Sequence, residues 1–322
     1  MISTLALARL CGTSQGTVDR ALHDRPGVSP KTRERILRAA AKHGHRPHPG
    51  MREILTGRSD IVQAAFPSIN NIFFMDLAAH LADELRKKGL ALQVTLIKDA
   101  ADLLALLEDS AARRHRLAVF VPPAEKIAVP ATLSRHLPLV SLLSPCRGNN
   151  VPFLSPDERR TGRDGVDHLY GLGHREILFV NYRRRAHAIT ARAAGYEERM
   201  RELGLRPRTV YSAEPASWGT PMPTALFCHN DWLAIQALLS LHQHGLSVPR
   251  QISVLGVDGS PTLAALHPGL STMAYPIEEV TAAILARLEN KTRSLEKVRF
   301  RVIAGETAVQ MNSRTELRNF SN

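Results

Sequence analysis

The stretch STLALARLCGTSQGTVDRALHDRPGVSPKTRERILRAAAKHGHR, residues 3–46, determines the architecture of the N-terminal end of the chain. It divides into three short segments with helical spacing of apolar residues, each preceded by a serine or threonine that can cap a helix. We therefore predict helices at 5–11, 15–22 and 30–43, separated by a Gly-Thr turn and by the turn-forming segment DRPGVS. Two helices joined by a Gly-containing turn and braced by a third form a helix-turn-helix unit.

The second and third predicted helices each have an apolar face. Val18, Ala21 and Leu22 lie at positions i, i+3 and i+4 of the second helix, so they share one side. The inward residues that we expect in the third helix are Ile36, Leu37, Ala40 and Ala41.

The opposite, polar face of the second helix is suited to DNA, because this helix enters the major groove in helix-turn-helix units. Gln15 and Arg20 can pair with adenine and guanine edges, each pair giving about 1–3 kcal/mol of discrimination. Asp19 can accept from a cytosine amine or brace Arg20. Gly16 and His23 lie on the same face. The side chains suited to phosphate contacts, which fix register, are Ser14, Thr17, Ser29, Thr32 and Arg33.

Charge favours this interpretation over a three-helix cap with a solvated basic face. Residues 1–58 contain eleven Lys/Arg and four Asp/Glu, so a net charge of +7 out of the chain's +12 lies in less than a fifth of its length. Such a concentrated basic region binds DNA by releasing counterions.

Composition narrows the class of protein. A length of 322 residues allows two or three folding units, and 44% hydrophobic residues is ordinary for a soluble protein. No apolar run reaches the roughly 18 residues of a membrane span, and Arg9 interrupts the N-terminus too early for a secretory signal. The three cysteines are far apart and lack a CxxC pair: Cys11, Cys146 and Cys228. We expect a cytoplasmic protein without metal or cofactor.

From residue 61 onward, short apolar runs alternate with longer amphipathic segments. This pattern predicts parallel sheets covered by helices on both faces. Ligands in such α/β sheets bind beyond the carboxyl ends of the strands. The predicted strands are 61–66, 91–97, 117–121, 139–143, 177–181, 209–211, 225–228, 252–257 and 299–304.

The segment SQGTVDRALHDRPGVSPKTRERILRAA closely resembles the N-terminal signature of the lactose-repressor (LacI/GalR) family of bacterial transcription regulators. The similarity recurs in pieces along nearly the whole chain. It implies a periplasmic-binding-protein-like core of two doubly wound parallel-sheet subdomains, and a homodimeric repressor that binds a pseudo-palindromic operator under control of a sugar-like effector. The expected divisions are head 1–46, hinge 47–60 and core 61–322, with an N-subdomain at about 61–157 plus 276–292 and a C-subdomain at about 158–275 plus 293–322.

The resemblance also assigns a role to the hinge. In the family this segment forms a short helix that inserts an apolar side chain into the minor groove, and Ile54 takes that position here. Pro49 and Gly50 depart from the residues that usually begin the helix. A flexible tether with an incidental isoleucine is the alternative.

The same resemblance suggests ligand contacts in the cleft, residue by residue. Phe73 or Phe74 would stack on a sugar or base ring, with core packing the alternative for Phe74. Arg192 would clamp hydroxyls or a carboxylate through its forked donors. Asp258 could instead be a buried structural acid, and Asp231, beside Asn230, could cap the next helix. The candidate set is Phe73, Phe74, Asp157, Arg192, Trp218, Asn230 and Asp258.

Two departures from the family affect the cleft. Only GTPMPTALFCH separates Trp218 from Asn230, where the family has a full helix, so the local topology is open. Arg183, Arg184 and Arg185 replace a small, glycine-containing loop. This indicates an anionic ligand, or ligand control that has weakened or been lost, unless the loop is simply solvated.

Two other function classes compete with the regulator. A solute-binding or sensing protein of the same core fold, with a head that serves only for contact with a partner, is disfavoured by the absent secretion signal and by the DNA-binding pattern of the head. An enzyme is disfavoured because the sequence has no nucleophile elbow, metal-spaced His/Cys set or phosphate loop.

Overall fold

The computed structural model of the protein describes residues 2–22, 25–43, 59–67, 72–123, 127–148, 151–183, 186–291, 293, 295 and 298–311. The chain divides into two compact units, residues 1–59 and 60–322, each with its own hydrophobic core. None of the helices in the described ranges is long and apolar enough to cross a membrane.

The first unit contains three helices at the predicted places. They are α1 (Thr4–Leu10), α2 (Gln15–Leu22) and α3 (Pro30–Lys42). Leu7, Val18 and Ile36, one from each helix, are completely buried and form the centre of its core. The predicted burial of Leu37 and Ala41 was wrong, since both are exposed. Each lies about 100° around α3 from the residue before it, outside the narrow stripe that meets the other two helices.

Serine caps fix where these helices begin. In each case the hydroxyl oxygen accepts a hydrogen bond from the backbone N–H three residues later, at 3.1–3.3 Å. Such a cap stabilises a helix by about 1 kcal/mol. The three capping residues are Ser3, Ser14 and Ser29.

The second unit contains two sheets, the first with strand order β2-β1-β3-β4-β5 and all pairings parallel. Its strands are β1 (Ile61–Pro67), β2 (Ala91–Ile97), β3 (Leu117–Phe120), β4 (Leu139–Leu142) and β5 (Phe153–Leu154). The helices along this part of the chain are α4 (Phe73–Lys87), α5 (Ala100–Ala112) and α6 (Ala131–His136).

The second sheet has the order β11-β10-β9-β8-β6-β7, parallel except for the antiparallel edge strand β11. Its strands are β6 (Ile177–Val180), β7 (Arg208–Val210), β8 (Ala225–Cys228), β9 (Ser253–Asp258), β10 (Ser271–Ala274) and β11 (Arg301–Ile303). The helices here are α7 (Glu158–Gly171), α8 (His187–Glu202), α9 (Asp231–Gln243), α10 (Pro261–Leu266) and α11 (Ile277–Leu288). Helix α11 packs against α4 and β3, so the chain returns to the first sheet after β10.

Every residue of β3, β4, β6 and β8 is buried, as expected for parallel strands covered on both faces. The sequence pattern missed β5, α10 and β10, each of which is only two to six residues long. In β10 the polar groups are buried because they have partners. The Ser271 N–H donates to the Thr307 hydroxyl at 2.8 Å, and the Thr272 hydroxyl donates to the Asp231 carboxylate at 2.5 Å.

The shortened segment before β8 adopts a regular crossover without a full helix. Strands β7 and β8 lie on opposite sides of β6, and residues 211–224 connect them through one 3-10 turn, Pro215–Ser217. Trp218, which is 2% exposed, packs in the core beside this sheet. Its indole N–H donates to the Ser212 carbonyl at 3.3 Å. A large aromatic side chain therefore supplies apolar contact where the family has a helix.

Candidate functional site

A cavity of about 270 Å³ lies at the carboxyl ends of strands from both sheets of the second unit. Strands β1, β3 and β4 lead into one side of it, and β6, β8 and β9 lead into the other, the usual position of ligands in α/β folds. Most of its lining is apolar or aromatic. The polar residues in the lining are Ser144, Glu158, Tyr182, Arg192, His229, Asn230, Asp258 and Tyr275.

Five of the seven predicted ligand residues line this cavity. They are Phe73, Phe74, Arg192, Asn230 and Asp258. Whether they contact an effector remains a prediction. Trp218 is in the core and Asp157 lies outside the cavity lining, so neither stands where the resemblance placed it.

Asp157 lies outside the cavity lining because it caps a helix. Asp157 is the N-cap of α7, and its carboxylate accepts the Arg160 backbone N–H at 2.8 Å on the exposed side of the helix. The next residue, Glu158, begins the helix and turns inward, where it is 2% exposed and lines the cavity. The cavity lining therefore includes the residue that follows Asp157, and a ligand contact of Asp157 itself stays a prediction.

Glu158 and Arg192 form a buried ion pair in the cavity wall. The Arg192 Nε donates to Oε2 of Glu158 at 3.0 Å, and Nη2 donates to the same oxygen. Nη1 of Arg192 donates to the carbonyl of His229. The pKa of Glu158 is raised by burial and lowered in part by the Arg192 charge. Arg192 is thus already neutralised within the protein.

Three buried polar atoms of the cavity lining have no hydrogen-bond partner among the described residues. They are Oε1 of Glu158, Nδ1 of His229 and the hydroxyl of Tyr275. Burial, together with the nearby Arg192 charge, holds the pKa of His229 well below its usual value, so this ring is neutral. Unsatisfied buried groups of this kind cost about 1–3 kcal/mol each, and a ligand that pairs with them recovers that cost.

Asn230 caps helix α9 and also lines the cavity. Its side-chain oxygen accepts the Leu233 N–H at 3.0 Å, which caps α9, and the Tyr182 hydroxyl at 3.1 Å. Its amide nitrogen is then the atom left for a ligand. The alternative that Asp231 caps this helix was wrong.

Asp231 has a buried structural role behind the cavity. Its carboxylate accepts from the Ser260 N–H at 2.9 Å and from Thr272, which ties α9 to the segments after β9 and in β10. Gly256 permits this approach, because a Cβ there would overlap the Asp231 carboxylate. Asp258, at the end of β9 with φ of 118°, has a pKa raised well above normal by burial and by Asp231.

Aromatic side chains form the rest of the wall. Phe73 meets Tyr275 edge-on with ring centroids 4.7 Å apart, and Phe74 stacks on Phe66 at 5.2 Å. Phe73 and Phe74 are each 5% exposed, so both pack in the core while presenting surface to the cavity.

Helix α4 is also tied to the second half of the unit by hydrogen bonds. Asp76 of α4 accepts the hydroxyl hydrogen bonds of Ser260 and of Thr262, the latter at 2.6 Å. These contacts join elements that belong to different sheets.

In the first unit, three of the predicted DNA-facing residues are exposed on the same helix. Gln15, Gly16 and Arg20 are exposed on α2. Asp19 pairs with Arg25 at 3.3 Å, not with Arg20, since the turn after α2 brings Arg25 back toward it.

The other predicted residues of the first unit are engaged locally. The hydroxyls of Ser14 and Thr17, and those of Ser29 and Thr32, lie 2.9 Å apart in pairs at the starts of α2 and α3. Arg33 donates to the Arg25 carbonyl at 2.6 Å, so part of its donor capacity is used within the unit. His23, the hinge with Ile54, and Arg184 and Arg185 lie outside the described residues.

Arg183 is exposed, with its guanidinium 5.1 Å from the centre of the Tyr211 ring. It does not line the cavity. The described part of the arginine loop therefore adds no positive charge to the cavity wall.

The variant Asp231→Asn tests whether burial raises the pKa of the Asp231 carboxyl. Burial raises the pKa of Asp231 to about 6, so the folded protein binds this proton more tightly than the unfolded chain does. The resulting stabilisation is present at low pH and is lost as pH rises through that pKa. We therefore compare the free energy of unfolding of the variant minus that of the wild type. We expect this difference to be larger at about pH 7 than at about pH 5. Urea denaturation at both pH values measures this difference, and a constant difference would contradict it.

Comparison with known proteins gives consistent matches for both units. The sequence model described as "Bacterial regulatory proteins, lacI family" matches residues 6–48, and that of the "Periplasmic binding protein-like domain" matches 166–309. An HTH-type transcriptional regulator in the aml 5' region of Streptomyces limosus is 30% identical over 306 residues, 88% of this chain and 86% of that protein. Catabolite control protein A of Priestia megaterium is 24% identical, with 97% of both chains covered.

Solved structures agree with the fold. The lac repressor dimer bound to operator and the anti-inducer ONPF has a TM-score of 0.74 at 18% identity, covering 96% of this chain and 99% of that one. The complex of the transcriptional regulator CelR with cellobiose has a TM-score of 0.62 at 20% identity, covering 95% and 100%. The predicted fold class, a helix-turn-helix head with a periplasmic-binding-protein-like core, is confirmed. The chain belongs to the lacI family of bacterial regulatory proteins.

Proposed function

We propose that this protein is a repressor that binds a pseudo-palindromic operator as a homodimer, under control of a small, hydroxyl-rich, sugar-like effector. The observation that supports it most is the combination, in one chain, of an exposed polar helix face and a cavity with unpartnered buried polar atoms. Those atoms also disfavour the hypothesis that ligand control has been lost. A cavity without a ligand gains nothing from keeping them unpaired.

DNA recognition is assigned to α2. Gln15 and Arg20 are exposed, and the apolar side of the same helix is held in the core by Val18 and Ala21. A firmly packed helix with exposed amide and guanidinium groups can hold them at base edges in the major groove. The basic charge of the first 58 residues supplies the phosphate attraction.

A second copy of the chain is proposed to cover the edge strand β2. This strand pairs with β1 on one side only, and Val94 and Leu96 are 41% and 56% exposed. An apolar strand edge is prone to pairing with another chain. A dimer also matches the two half-sites of a palindrome.

The effector is proposed to be uncharged or cationic, in contrast to the anionic ligand that the arginine loop suggested. Glu158 neutralises Arg192, and Arg183 stacks on Tyr211 outside the cavity. The unpartnered Glu158 oxygen needs hydrogen donors, which hydroxyl groups supply. CelR bound to cellobiose, and a relative from Alkaliphilus metalliredigens bound to D-xylulofuranose, show the same fold holding sugars.

Effector control requires that the two halves of the core move with respect to each other. The Asp76 contacts with Ser260 and Thr262 are made between elements of different sheets, next to the cavity. A ligand that contacts both halves changes the population of the arrangement in which these hydrogen bonds form. If that arrangement also affects DNA binding, the effector changes the affinity for DNA and DNA changes the affinity for the effector by the same factor.

The sequence-specific role of α2 is tested by Arg20→Ala. We expect its preference for an operator selected from random DNA, over scrambled duplex, to fall by about 1–3 kcal/mol per half-site, because the paired guanine contact is lost. Salt-sensitive binding to scrambled DNA should remain. Competition binding at fixed salt measures both affinities.

Arg38→Ala is the matched control. Arg38 lies on the outer side of α3 with its side chain 78% exposed and pairs only with the similarly exposed Glu34 among described residues. It removes the same charge without touching the proposed recognition face. Equal losses of preference in both variants would mean that charge alone, and not base recognition by α2, explains DNA binding.

A further inference from the structure

Acidic residues outnumber basic residues in the lining of the cavity. Arg192 is the only Lys or Arg among the described lining residues, whereas Glu158 and Asp258 both contribute carboxylates. The Arg192 guanidinium is paired with Glu158, so no described residue of the lining forms an ion pair with Asp258. His229 does not restore the balance, because burial keeps it neutral.

Asp258 also lacks hydrogen-bond donors. No described residue donates a hydrogen bond to its side chain, although it ends a strand at the cavity. Asp258 is half-buried, and a carboxylate that is partly withdrawn from water without a partner is unfavourable, so it takes up a proton or binds a positive group. Its pKa is raised accordingly when the cavity is empty.

The unpartnered oxygen of Glu158 points to the same requirement. The side chain is only 1% exposed, and its Oε1 has no donor among the described residues. A hydroxyl group could donate to it but carries no positive charge to offset the Asp258 carboxylate. An ammonium group supplies three N–H donors and the missing positive charge together.

Aromatic rings complete a surface that favours a cation. Tyr182, Trp232, Phe73 and Tyr275 line the cavity with the two acids. The faces of aromatic rings attract cations through their negative electrostatic potential. Hydroxyl-rich parts of a ligand still find donors and acceptors at Asn230 and the other polar lining groups.

We propose that the effector carries a protonated amino group that binds between Asp258 and the free oxygen of Glu158, as an amino sugar or a similar aminated polyol would. This inference rests on the proposed function, since it specifies the effector of that cavity. It makes the Glu158–Asp258 region an ammonium subsite and leaves the sugar-like remainder to the aromatic wall.

The test is isothermal titration of the full-length protein with matched probes: D-glucosamine against D-glucose, D-galactosamine against D-galactose, and D-mannosamine against D-mannose. We expect at least one aminated sugar to bind at least about tenfold more tightly than its parent, the equivalent of roughly 1.4 kcal/mol. Equal or tighter binding of the parent sugars would overturn the proposal, and so would failure of all aminated probes to bind.

Two variants locate the effect. Asp258→Asn keeps the shape and tolerates the positive φ, and we expect it to abolish the preference for the aminated probe. Asp157→Asn removes one carboxylate from the neighbouring exposed N-cap outside the cavity lining, and should keep the preference. A preference that survives in Asp258→Asn would contradict the subsite.

If Asp258→Asn does not fold, the wild-type protein still decides the question through proton release. The groups acting on Asp258 are the carboxylates of Asp231, Glu158 and Asp76 and the guanidinium of Arg192. Burial and these three acids raise the pKa of Asp258, whereas an adjacent ammonium would lower it, so binding of an ammonium should release protons and binding of a neutral sugar should not. Titration in buffers of different ionisation enthalpy measures this, and no release with a bound amine would overturn the proposal. Operator selection without ligand is independent, so loss of this inference leaves the DNA-binding proposal standing.

Discussion

Gly195→Ala is expected to destabilise the second unit by about 3 kcal/mol, the upper part of the usual range for overpacking a closed contact. Helices α7 and α8 touch backbone to backbone at this point. A Cβ on Gly195 would lie far inside van der Waals contact with the Arg159 carbonyl. On the facing helix, a Cβ on Gly162 would lie 2.7 Å from the Tyr196 nitrogen. Backbone atoms cannot move aside as a flexible side chain can, so the helices must separate.

The consequence extends to the cavity. Arg192 lies one turn before Gly195 on α8, and Glu158 lies one turn before Gly162 on α7. The close approach of the two glycines therefore sets the distance over which the buried ion pair forms. Separation of the helices should weaken that pair as well as the packing of the fully buried Tyr196.

Gly171→Ala provides the control in the same helix α7. No heavy atom lies within 4 Å of a Cβ at Gly171. Alanine there should leave the free energy of unfolding unchanged or raise it by at most about 1 kcal/mol. Urea denaturation of the three proteins measures the difference. Similar stability of Gly195→Ala and Gly171→Ala would show that the helices are not in the contact described.

Arg192→Met is the second change with a large expected effect, about 3–5 kcal/mol of lost stability, because it leaves the buried Glu158 carboxylate without its cation. The His229 carbonyl loses its donor at the same time. Burial already raises the pKa of Glu158, and removal of Arg192 takes away the positive charge that opposes this rise. We expect Glu158 to bind a proton in the variant.

The double variant Glu158→Gln, Arg192→Met separates charge from packing. Replacing both partners of a buried pair is often neutral or stabilising relative to breaking it. We therefore expect the double variant to be more stable than Arg192→Met alone. The single variants Glu158→Gln and Arg192→Met complete the comparison. If the double variant loses as much stability as the two single variants lose together, the two side chains are not energetically coupled. Arg192 would then not be neutralised by Glu158.

The helices of the first unit could be predicted because their signals are local. A serine cap and an apolar face within one turn were enough to locate α2 and α3, and the structure shows those caps. Burial was less predictable. Leu37 is apolar and next to Ile36, but only tertiary contact decides how wide a stripe is buried.

The cavity was partly predictable for a different reason. Asn230 and Asp258 lie at the ends of strands, and strand ends meet in this fold, so their positions follow from the pattern. The same rule could have found His229, one residue after β8. Glu158 was missed because the choice between Asp157 and Glu158 depends on which one caps α7. The core position of Trp218 could not be predicted because nothing local shows that its ring packs where a helix is expected.

Selection of DNA from a random duplex pool by the purified full-length protein at moderate salt tests the central claim most directly. We predict that the wild-type protein recovers one pseudo-palindrome. In a selection with the Arg20→Ala variant, the base preference should change at the same position of both half-sites. That result would establish sequence recognition by α2 and dimeric binding together. Recovery of DNA without any consensus would contradict the account, leaving a basic head that binds DNA without sequence recognition.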